Sequence, residues 1–359
     1  MKKVLLITPF PPPMGGISNW SKLVYEYINK NEQEVEVRYI NTAPKKRSTD
    51  GRTLFDRVFN GFFSVFKTAR LLKKELKEFK PDVVHINTSG SLALFRDIKV
   101  LKILKRKKIK SILHIRFGRV PELLKQNNLE SKLLKKAFKL VDNILAIDAK
   151  TYNSLLEDYS DKASLIPNPF VSDNMPEPIK LNKDNLSHTI TYLGWVVKTK
   201  GIEELISAWN ILYKKHPNWK LQIVGPYDKE YFEYLKNNYS FYGIDFMGEK
   251  NHDDAMDIVN KSDIFTLPSY TEGFPNAVVE AMYLGKAIVA TDVGAIPEML
   301  DNNCGIVVKS KSVEELIEAF EKIINDHDLL CQLGCNAKEK SSIYSIDKVM
   351  EQYKKIWFN

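Results

Sequence analysis

The chain has 359 residues, of which 44% are hydrophobic, 11% aromatic and 27% charged. This length and composition allow two globular domains with substantial cores and exclude a disordered or fibrous protein. No apolar stretch approaches the length of a membrane-spanning helix, and the 3 cysteines are too few for a disulfide framework, which favours a reducing, cytoplasmic location.

Positive charge is concentrated in the first half of the chain. Residues 1–170 carry 33 Lys and Arg against 17 Asp and Glu, whereas residues 171–359 carry 20 against 28. The excess peaks in residues 96–110. Four consecutive basic residues stand near the end of that stretch: Lys105, Arg106, Lys107 and Lys108. This asymmetry indicates an anionic partner, such as a membrane face, a pyrophosphate-linked lipid or nucleic acid, with an ordinary solvated helix face as the alternative.

The first half alternates segments typical of strands and helices. Residues 3–8 form a continuous apolar run, as in a parallel strand buried on both faces. A loop with Gly15 and Gly16 then precedes a predicted helix over residues 19–30. Further strands are predicted at 34–40, 82–87, 111–116 and 143–148. This rhythm predicts βαβ units and a Rossmann-like domain over residues 1–170.

A second domain is predicted after a break in this rhythm. Residues 167–187 contain 4 prolines among polar residues, which is typical of a linker. The alternation then resumes and predicts another Rossmann-like domain over residues 187–344, followed by an amphipathic helix that begins at residue 345. Its strands are predicted at 189–193, 221–224, 244–247, 264–267, 287–291 and 305–308.

The stretch from residue 263 to Gly285 carries the most specific pattern. A buried strand over residues 263–268 leads into a polar loop with Glu272, and a helix is predicted to begin near Pro275 and to end at Gly285. Free N–H groups and the helix dipole make such a helix start an anion site. Glu272 and Glu280 flank it. A ligand with hydroxyl groups on both sides of a diphosphate, such as a nucleotide-sugar, would suit this arrangement.

These residues resemble the Glu-x7-Glu signature of retaining glycosyltransferases of family 4, which have the GT-B fold. Four further segments carry the same resemblance: Ile166-Pro-Asn-Pro, Gly194-x5-Lys200-Gly201, residues 221–225 and residues 290–298. The match covers residues 160–340 well and the first half loosely, through Gly15, Gly16 and His114. It implies an α/β protein with two Rossmann-like domains facing across a cleft. The C-terminal helix, residues 345–359, would cross back onto the first domain.

The resemblance also implies roles for individual residues. Lys200 would contact the donor diphosphate and stabilise the leaving group, Glu280 would hold the ribose hydroxyls, and Glu272 would face the donor sugar. His114 would lie near the sugar as a third catalytic residue, unless it is a buried structural histidine. Backbone groups would complete the donor site: Gly15 and Gly16 of the first domain, Gly194, and the run Gly273, Phe274, Pro275, Asn276 and Ala277.

One position departs from the family pattern. An arginine usually follows the glycine at 194, and this chain has Trp195, whose indole cannot neutralise a phosphate. Lys198 could partly substitute, or Trp195 could stack on a ligand. In the first domain, Arg116 and Arg119 are candidates for binding an acceptor phosphate, with ordinary surface charge as the alternative.

The resemblance predicts a hexosyltransferase that needs no cofactor. No Asp-x-Asp stands at a strand end, and Lys200 with the helix dipole supplies positive charge, so no metal is expected. The sugar would move from a UDP- or GDP-linked donor to a glycan or a polyprenyl-diphosphate-linked acceptor, in polysaccharide assembly at the inner face of a bacterial-type cell membrane. An anionic membrane surface is therefore an expected partner, and residues 54–76, rich in Phe, Lys and Arg, are a candidate interfacial helix unless their aromatics fill the core.

Three other functions are consistent with parts of the sequence. A GT-B epimerase or phosphorylase would share the fold. A nicotinamide-dependent dehydrogenase would need Gly-x-Gly-x-x-Gly after a strand, and residues 14–19 and 223–227 both lack it. A nucleic-acid-binding protein would need aromatics among its basic residues, and residues 96–110 have none, so nucleic acid is not expected as a partner.

Overall fold

The computed structural model describes residues 1–13, 15–43, 54–173, 175–184 and 186–359, and over residues 54–64 it describes the helix without its side chains. The described strands are β1 (Lys2–Thr8), β2 (Val35–Asn41), β3 (Val83–Thr88), β4 (Lys110–Ile115), β5 (Asn143–Ala146), β6 (Ala163–Leu165), β7 (Thr189–Leu193), β8 (Lys220–Val224), β9 (Ile244–Gly248), β10 (Ile264–Leu267), β11 (Ala287–Thr291) and β12 (Ile306–Val308).

The described helices are α1 (Gly16–Asn31), α2 (Leu54–Glu78), α3 (Ala93–Lys107), α4 (Val120–Lys125), α5 (Leu129–Leu140), α6 (Ala149–Tyr159), α7 (Ile202–Lys215), α8 (Lys229–Asn238), α9 (His252–Lys261), α10 (Asn276–Tyr283), α11 (Ile296–Met299), α12 (Val313–Asn325), α13 (His327–Ser341) and α14 (Ile346–Phe358). Short 3-10 turns lie at Lys198–Lys200 and Ser342–Tyr344. None of the described helices is long and apolar enough to cross a membrane.

The chain divides into two compact units. Unit 1 comprises Met1–Pro169 and Ile346–Asn359, and unit 2 comprises Phe170–Ser345. Both are parallel sheets with helical crossovers, which confirms the prediction of two Rossmann-like domains. The final helix, α14, belongs to unit 1 and packs on it through buried Tyr353 and Trp357.

The sheet of unit 1 has the order β2-β1-β3-β4-β5-β6. Residues 4–7 of β1 have no exposed surface, as a parallel strand covered on both faces requires. On one face, the side chains of α2, α3 and α5 pack with the sheet in a single apolar core. The opposite face is more polar, because it holds His85, His114 and Trp20 beneath α14.

The sheet of unit 2 has the order β12-β11-β10-β7-β8-β9. Its apolar core includes Trp209 and Phe320 and continues into most of the surrounding helices. Part of the segment predicted as a linker is fixed to this unit. The fully buried ammonium of Lys286 donates to the carbonyl oxygens of Asn260 (2.6 Å) and Ile179 (3.3 Å), and burial lowers its pKa to about 8.

Candidate functional site

The sheet of unit 2 reverses its direction of winding between β7 and β10. From β7 the chain continues outward to β8, and from β10 it continues the other way to β11. In open parallel sheets, ligands bind at such a switch point, beyond the carboxyl ends of the strands. The loops that leave this point are residues 194–201 after β7 and residues 268–275 after β10. Both contain residues that the sequence predicts to bind the donor.

Backbone contacts lock these two loops together. The N–H of Tyr270 donates to the carbonyl of Thr199 (2.9 Å). Gly201 has φ 72°, and a Cβ at this position would lie 2.0 Å from the carbonyl oxygen of Pro268. Only glycine satisfies both conditions. The glycine of the Lys-Gly pair is therefore required by packing, and it sets Lys200 beside the loop after β10.

A second glycine joins the loop after β11 to the same place. Gly294 has φ 57°, and a Cβ there would lie 2.4 Å from the carbonyl oxygen of Gly273, which also accepts from the N–H of Ala295 (2.8 Å). Three consecutive loops of the sheet edge thus hold one another through their backbones. A site built on them is rigid without a ligand.

Lys200 and Glu272 form an ion pair at this edge. Lys200 Nζ lies 2.5 Å from Glu272 Oε1, and the hydroxyl of Ser269 donates to the same oxygen (2.7 Å). Both side chains are largely shielded, with 27% and 13% of their surface exposed. The structure therefore brings together two of the three predicted catalytic residues, in an arrangement where the lysine neutralises the carboxylate.

The start of α10 follows directly. The helix begins at Asn276 with buried Pro275 at its N-cap, no side chain caps it, and its first turn contains no acidic residue. It ends before Gly285, which has φ 68°, so the predicted helix is confirmed with a start one residue later. An uncapped helix start presents unpaired N–H groups and the positive end of the dipole. An anion can bind there beside Lys200.

Glu280 lies in the second turn of α10 with a partner from another helix. Its Oε1 lies 3.0 Å from Nε2 of His252, the first residue of α9. The carboxylate is 16% exposed and the imidazole 55%. This bond, more than any other factor, raises the pKa of His252 above its usual value.

Trp195 and Lys198 both lie in the loop after β7, but their side chains have different surroundings. Trp195 is 61% exposed, and its carbonyl accepts from the buried hydroxyl of Tyr192 (2.8 Å), so the indole stands in solvent. The Lys198 ammonium lies 3.6 Å from Glu203 and is 66% exposed. It is directed to that carboxylate in this structure. Of the two lysines, Lys200 is therefore the more firmly placed in the candidate site.

In unit 1, Gly15 and Gly16 also lie at a switch point, between β1 and β3. Gly15 is the N-cap of α1 and Gly16 its first residue. Gly15 has φ 173°, which any residue adopts, and a Cβ on Gly16 would meet no atom within 4 Å. Nothing within the described chain requires glycine at residue 16, and the space above the backbone is open.

His114 is fully buried and enclosed by side chains. Its Nδ1 lies 3.1 Å from Nε2 of His85, and Nδ1 of His85 accepts from the indole N–H of Trp357 in α14 (3.0 Å). An indole N–H only donates, so a neutral His85 carries its proton on Nε2 and donates it to His114. A neutral His114 then carries its own proton on Nε2. A sugar cannot reach this ring in the described conformation, as expected for a buried structural histidine. The catalytic role of His114 stays a prediction.

Burial keeps both rings uncharged. It lowers the pKa of His85 to about 3 and that of His114 well below its usual value, and the positive charge of Arg116 lowers both further. Arg116 Nη1 lies 3.2 Å from Nε2 of His114. Both nitrogens carry a proton in the tautomer derived above, so they do not form a hydrogen bond with each other. Arg116 Nη1 donates to Oδ1 of Asn168 (2.6 Å), and burial lowers the pKa of Arg116 to about 10.

Arg119 has partners within unit 1. Its guanidinium binds both oxygens of Glu130 (2.7 and 3.2 Å) and the hydroxyl of Ser91 (2.7 Å). An acceptor phosphate would have to displace this carboxylate. Binding of an acceptor by Arg119 stays a prediction.

The four basic residues Lys105–Lys108 are exposed at the end of α3. A crossover helix runs opposite to its strands, so its C-terminal end lies beyond the amino ends of the strands. These residues are thus at the edge of the sheet opposite to the ligand edge. This position favours a lipid surface over the reacting end of an acceptor, and the assignment of these residues to an acceptor or a lipid stays a prediction. Arg96, at the start of the basic stretch, is buried in an ion pair with Asp97 (2.7 Å).

Comparison with known families assigns both halves of the chain. The family model described as Glycosyl transferases group 1 matches residues 174–340, and the model described as Glycosyltransferase Family 4 matches residues 14–173. Together they account for most of the chain. The protein belongs to glycosyltransferase family 4. Both the resemblance seen in the sequence and the GT-B fold class are thereby confirmed.

Curated and solved proteins are similar to this family 4 member over different lengths. The capsular polysaccharide biosynthesis glycosyltransferase CapM of Staphylococcus aureus is 32% identical over 45% of this chain and 42% of its own length. The chain spans about half the length of several curated relatives that it matches. A sucrose-phosphate synthase from Thermosynechococcus elongatus has a TM-score of 0.77 at 16% identity, covering 99% of this chain and 98% of that chain. HepE of Anabaena, in complex with UDP, has a TM-score of 0.70 at 16% identity, covering 99% of both chains.

Two residues of this glycosyltransferase were missed by sequence reasoning, namely His85 and His252. His85 stands in a strand that was recognised, on the same face as Asn87, so the alternation of β3 could have placed it beside His114. His252 follows a strand end, where ligand-binding loops occur. The Phe residues at 55, 59, 62 and 63, proposed for an interfacial helix, have side chains outside the described part.

Proposed function

We propose that this protein transfers a sugar from a nucleotide-sugar to an acceptor with retention of the anomeric configuration. One observation carries the proposal: the Lys200–Glu272 pair, 2.5 Å apart, stands beside the uncapped start of α10 at the switch point of a rigid sheet edge. The Lys200 ammonium and the positive end of the helix dipole meet there, and Glu272 compensates the lysine in this structure. A diphosphate leaving group needs this environment.

Each part of the donor has a chemical counterpart in unit 2. Lys200 and the N–H groups at Asn276 and Ala277 bind the diphosphate, and Glu280 accepts from the ribose hydroxyls. Glu272, released from Lys200 when phosphate takes its place, faces the donor sugar. Glu272 lies in the loop before α10 and Glu280 in the second turn of that helix, which fits a ligand that has hydroxyls on both sides of its phosphates.

The reaction that we propose exchanges one bond at the anomeric carbon for another. The bond from this carbon to the diphosphate oxygen breaks, and a bond to the acceptor oxygen forms on the same face of the sugar. The departing phosphate takes the acceptor proton. Lys200 and the helix dipole compensate the charge that develops on the leaving group, so the step needs no divalent cation. The support for retention is membership of family 4.

We further propose a glycan or polyprenyl-diphosphate-linked acceptor and a peripheral location at an anionic cytoplasmic membrane face. The relative CapM, named for capsular polysaccharide biosynthesis, supports this acceptor class. So does the surface of three neighbouring helices of unit 1, α2, α3 and α5, which we call the basic face. Its exposed basic residues are Lys67, Arg70, Lys73, Lys74, Lys77, Lys99, Lys102, Lys105, Arg106, Lys107, Lys132, Lys136 and Lys139.

Apolar residues occur on the same face. On α3 and at its N-cap, Leu92 (46% exposed) and Phe95 (44% exposed) share a helical stripe with Lys99, Lys102 and Arg106. The apolar pair lies at the end of α3 nearer the ligand edge, and the basic residues extend away from it. Apolar side chains beside Lys and Arg are the composition of an interfacial helix.

Replacing Glu280 by alanine should weaken binding of the donor at least tenfold. A hydrogen bond to a charged group contributes about 1.5–3 kcal/mol, and both ribose hydroxyls lose their acceptor. Calorimetric titration with UDP- and GDP-sugars measures the loss, with Glu318→Ala, an exposed glutamate of α12, as the matched control. Product analysis with and without acceptor then separates transfer from epimerisation. Unchanged affinity in a folded Glu280→Ala protein would rule out the ribose assignment.

The basic face should bind anionic membranes reversibly. Each Lys or Arg near an anionic leaflet contributes on the order of 1 kcal/mol, so several suffice. Sedimentation should occur with phosphatidylglycerol vesicles but not with phosphatidylcholine vesicles, and 0.5 M salt, at roughly a 4 Å screening length, should release the protein. The double variant Lys102→Glu/Arg106→Glu should lose binding, whereas Lys214→Glu/Lys229→Glu, with the same charge change in unit 2, should retain it. Equal behaviour of the two variants would contradict the assignment.

A further inference from the structure

We propose that His252 is a positioning residue of the donor site, which holds the Glu280 carboxylate in the orientation that accepts from the ribose hydroxyls. The inference rests on the proposed function and adds a residue to it. A contact between α9 and α10 in unit 2 places Nε2 of His252 3.0 Å from Oε1 of Glu280.

The backbone of His252 is fixed independently of this contact. His252 is the first residue of α9, and the N-cap Asn251 accepts from the N–H of Asp254 (2.9 Å) through its side chain. A capped helix start has little freedom in its backbone. The imidazole therefore extends toward Glu280 from a fixed backbone position. Glu280 lies in the middle of α10, so its backbone is fixed as well.

The two partners of this contact differ in their exposure to solvent. Glu280 is 16% exposed and His252 55%. No other side-chain hydrogen bond to the Glu280 carboxylate is found among the described residues. A carboxylate has two oxygens and about four acceptor directions, of which the imidazole N–H occupies one. The remaining directions are available to a pair of neighbouring hydroxyls. Without the imidazole, the Glu280 side chain could rotate away from them.

The charges around His252 favour its protonated form. Glu280 faces it from α10, and Asp253 Oδ1 of its own helix lies 3.6 Å from Nδ1. The hydrogen bond to Glu280 is the largest influence and raises the pKa, burial opposes it, and Asp253 raises the pKa further. A raised pKa means that the imidazolium persists above pH 6.5 and is lost as the pH rises through the shifted value. The hold on Glu280 should weaken over the same range.

The test compares ligands that have and lack the ribose hydroxyls. Affinities for UDP, GDP and their 2′,3′-dideoxy analogues are measured by calorimetry on the full chain. His252→Ala should weaken binding of the ribose forms about 3- to 10-fold, the effect of losing one hydrogen bond. It should leave the dideoxy forms unchanged and have no further effect in the Glu280→Ala protein. His252→Gln retains an N–H donor and should restore part of the affinity for the ribose forms. Because glutamine does not titrate, the fall in affinity that we expect for the wild-type protein between pH 6.5 and 8.5 should be absent in this variant.

A matched histidine provides the control for folding. His327 is the exposed first residue of α13 and follows the N-cap Asp326, so His327→Ala makes the same change at an equivalent helix start. It should not alter affinity. Equal losses for ribose and dideoxy ligands, or additive losses of His252→Ala and Glu280→Ala, would refute the positioning role while leaving the donor site intact. No binding of either UDP or GDP to the wild-type protein would instead overturn the donor site, and this inference with it.

Discussion

Lys200→Ala is expected to lower kcat for sugar transfer about 100- to 1,000-fold, the range found when one preorganised donor to a developing negative charge is removed. Lys200 is held 2.5 Å from Glu272 in a loop that the backbone of Gly201 fixes against Pro268. Its ammonium is therefore in place before the leaving group departs. The substitution also leaves Glu272 uncompensated, which would repel a diphosphate.

The measurement is steady-state kinetics of release of the nucleoside diphosphate, with Lys198→Ala as the matched control. Lys198 is two residues away, 66% exposed and directed to Glu203, so its loss should have a much smaller effect. Wild-type turnover should be unchanged in excess EDTA. Equal losses in the two lysine variants would move the phosphate contact to Lys198, and activity abolished by EDTA and restored by Mg²⁺ would show that Lys200 does not suffice.

Unit 1 is expected to lose stability steeply in mild acid. His85 and His114 are buried as neutral rings, and burial lowers the pKa of His85 to about 3. Between pH 6.5 and 3 these two histidines are protonated in the unfolded chain but not in the folded unit. The free energy of unfolding therefore falls as the pH falls. Each such proton contributes about 1.4 kcal/mol per pH unit. Buried Asp97, whose pKa burial raises, acts in the opposite direction.

Hydrogen exchange measured from pH 7 to pH 4.5 resolves this effect by segment. After correction for intrinsic rates, the protection of β3 and β4 should fall with pH faster than that of β10 and β11 in unit 2. His85→Phe removes one titrating ring and should reduce the slope for unit 1 by about one proton, whatever it does to stability at pH 7. An unchanged slope in this variant would mean that the pair does not control the acid response.

Local patterns in the sequence account for the two sheets and most of the donor loops. The apolar runs of β1, β4 and β11 are long enough to identify parallel strands, and Gly201 and Gly285 stand where the backbone requires them. The place of Lys105–Lys108 could also have been inferred, because the direction of α3 follows from the strand before it. Charge alone does not show at which edge of the sheet these residues lie, and the topology does.

Contacts between distant parts of the chain could not be predicted in the same way. His114 is covered by α14, which is more than two hundred residues further along, and local alternation does not specify what packs over a strand end. The Lys200–Glu272 pair spans 72 residues and the His252–Glu280 pair 28. Each depends on how strands are ordered in a sheet, which single-sequence periodicity does not determine.

The exposure of Trp195 gives the protein a built-in optical probe. The chain has five tryptophans, and the other four, Trp20, Trp209, Trp219 and Trp357, are at most 3% exposed, whereas Trp195 is 61% exposed. An aqueous quencher such as iodide therefore reaches one indole and leaves the rest emitting. That indole stands in the loop after β7, a few residues from Lys200. The quenchable fluorescence of the unlabelled chain therefore reports changes at this sheet edge. The fluorescence that iodide does not quench comes from the buried tryptophans and reports folding of the cores.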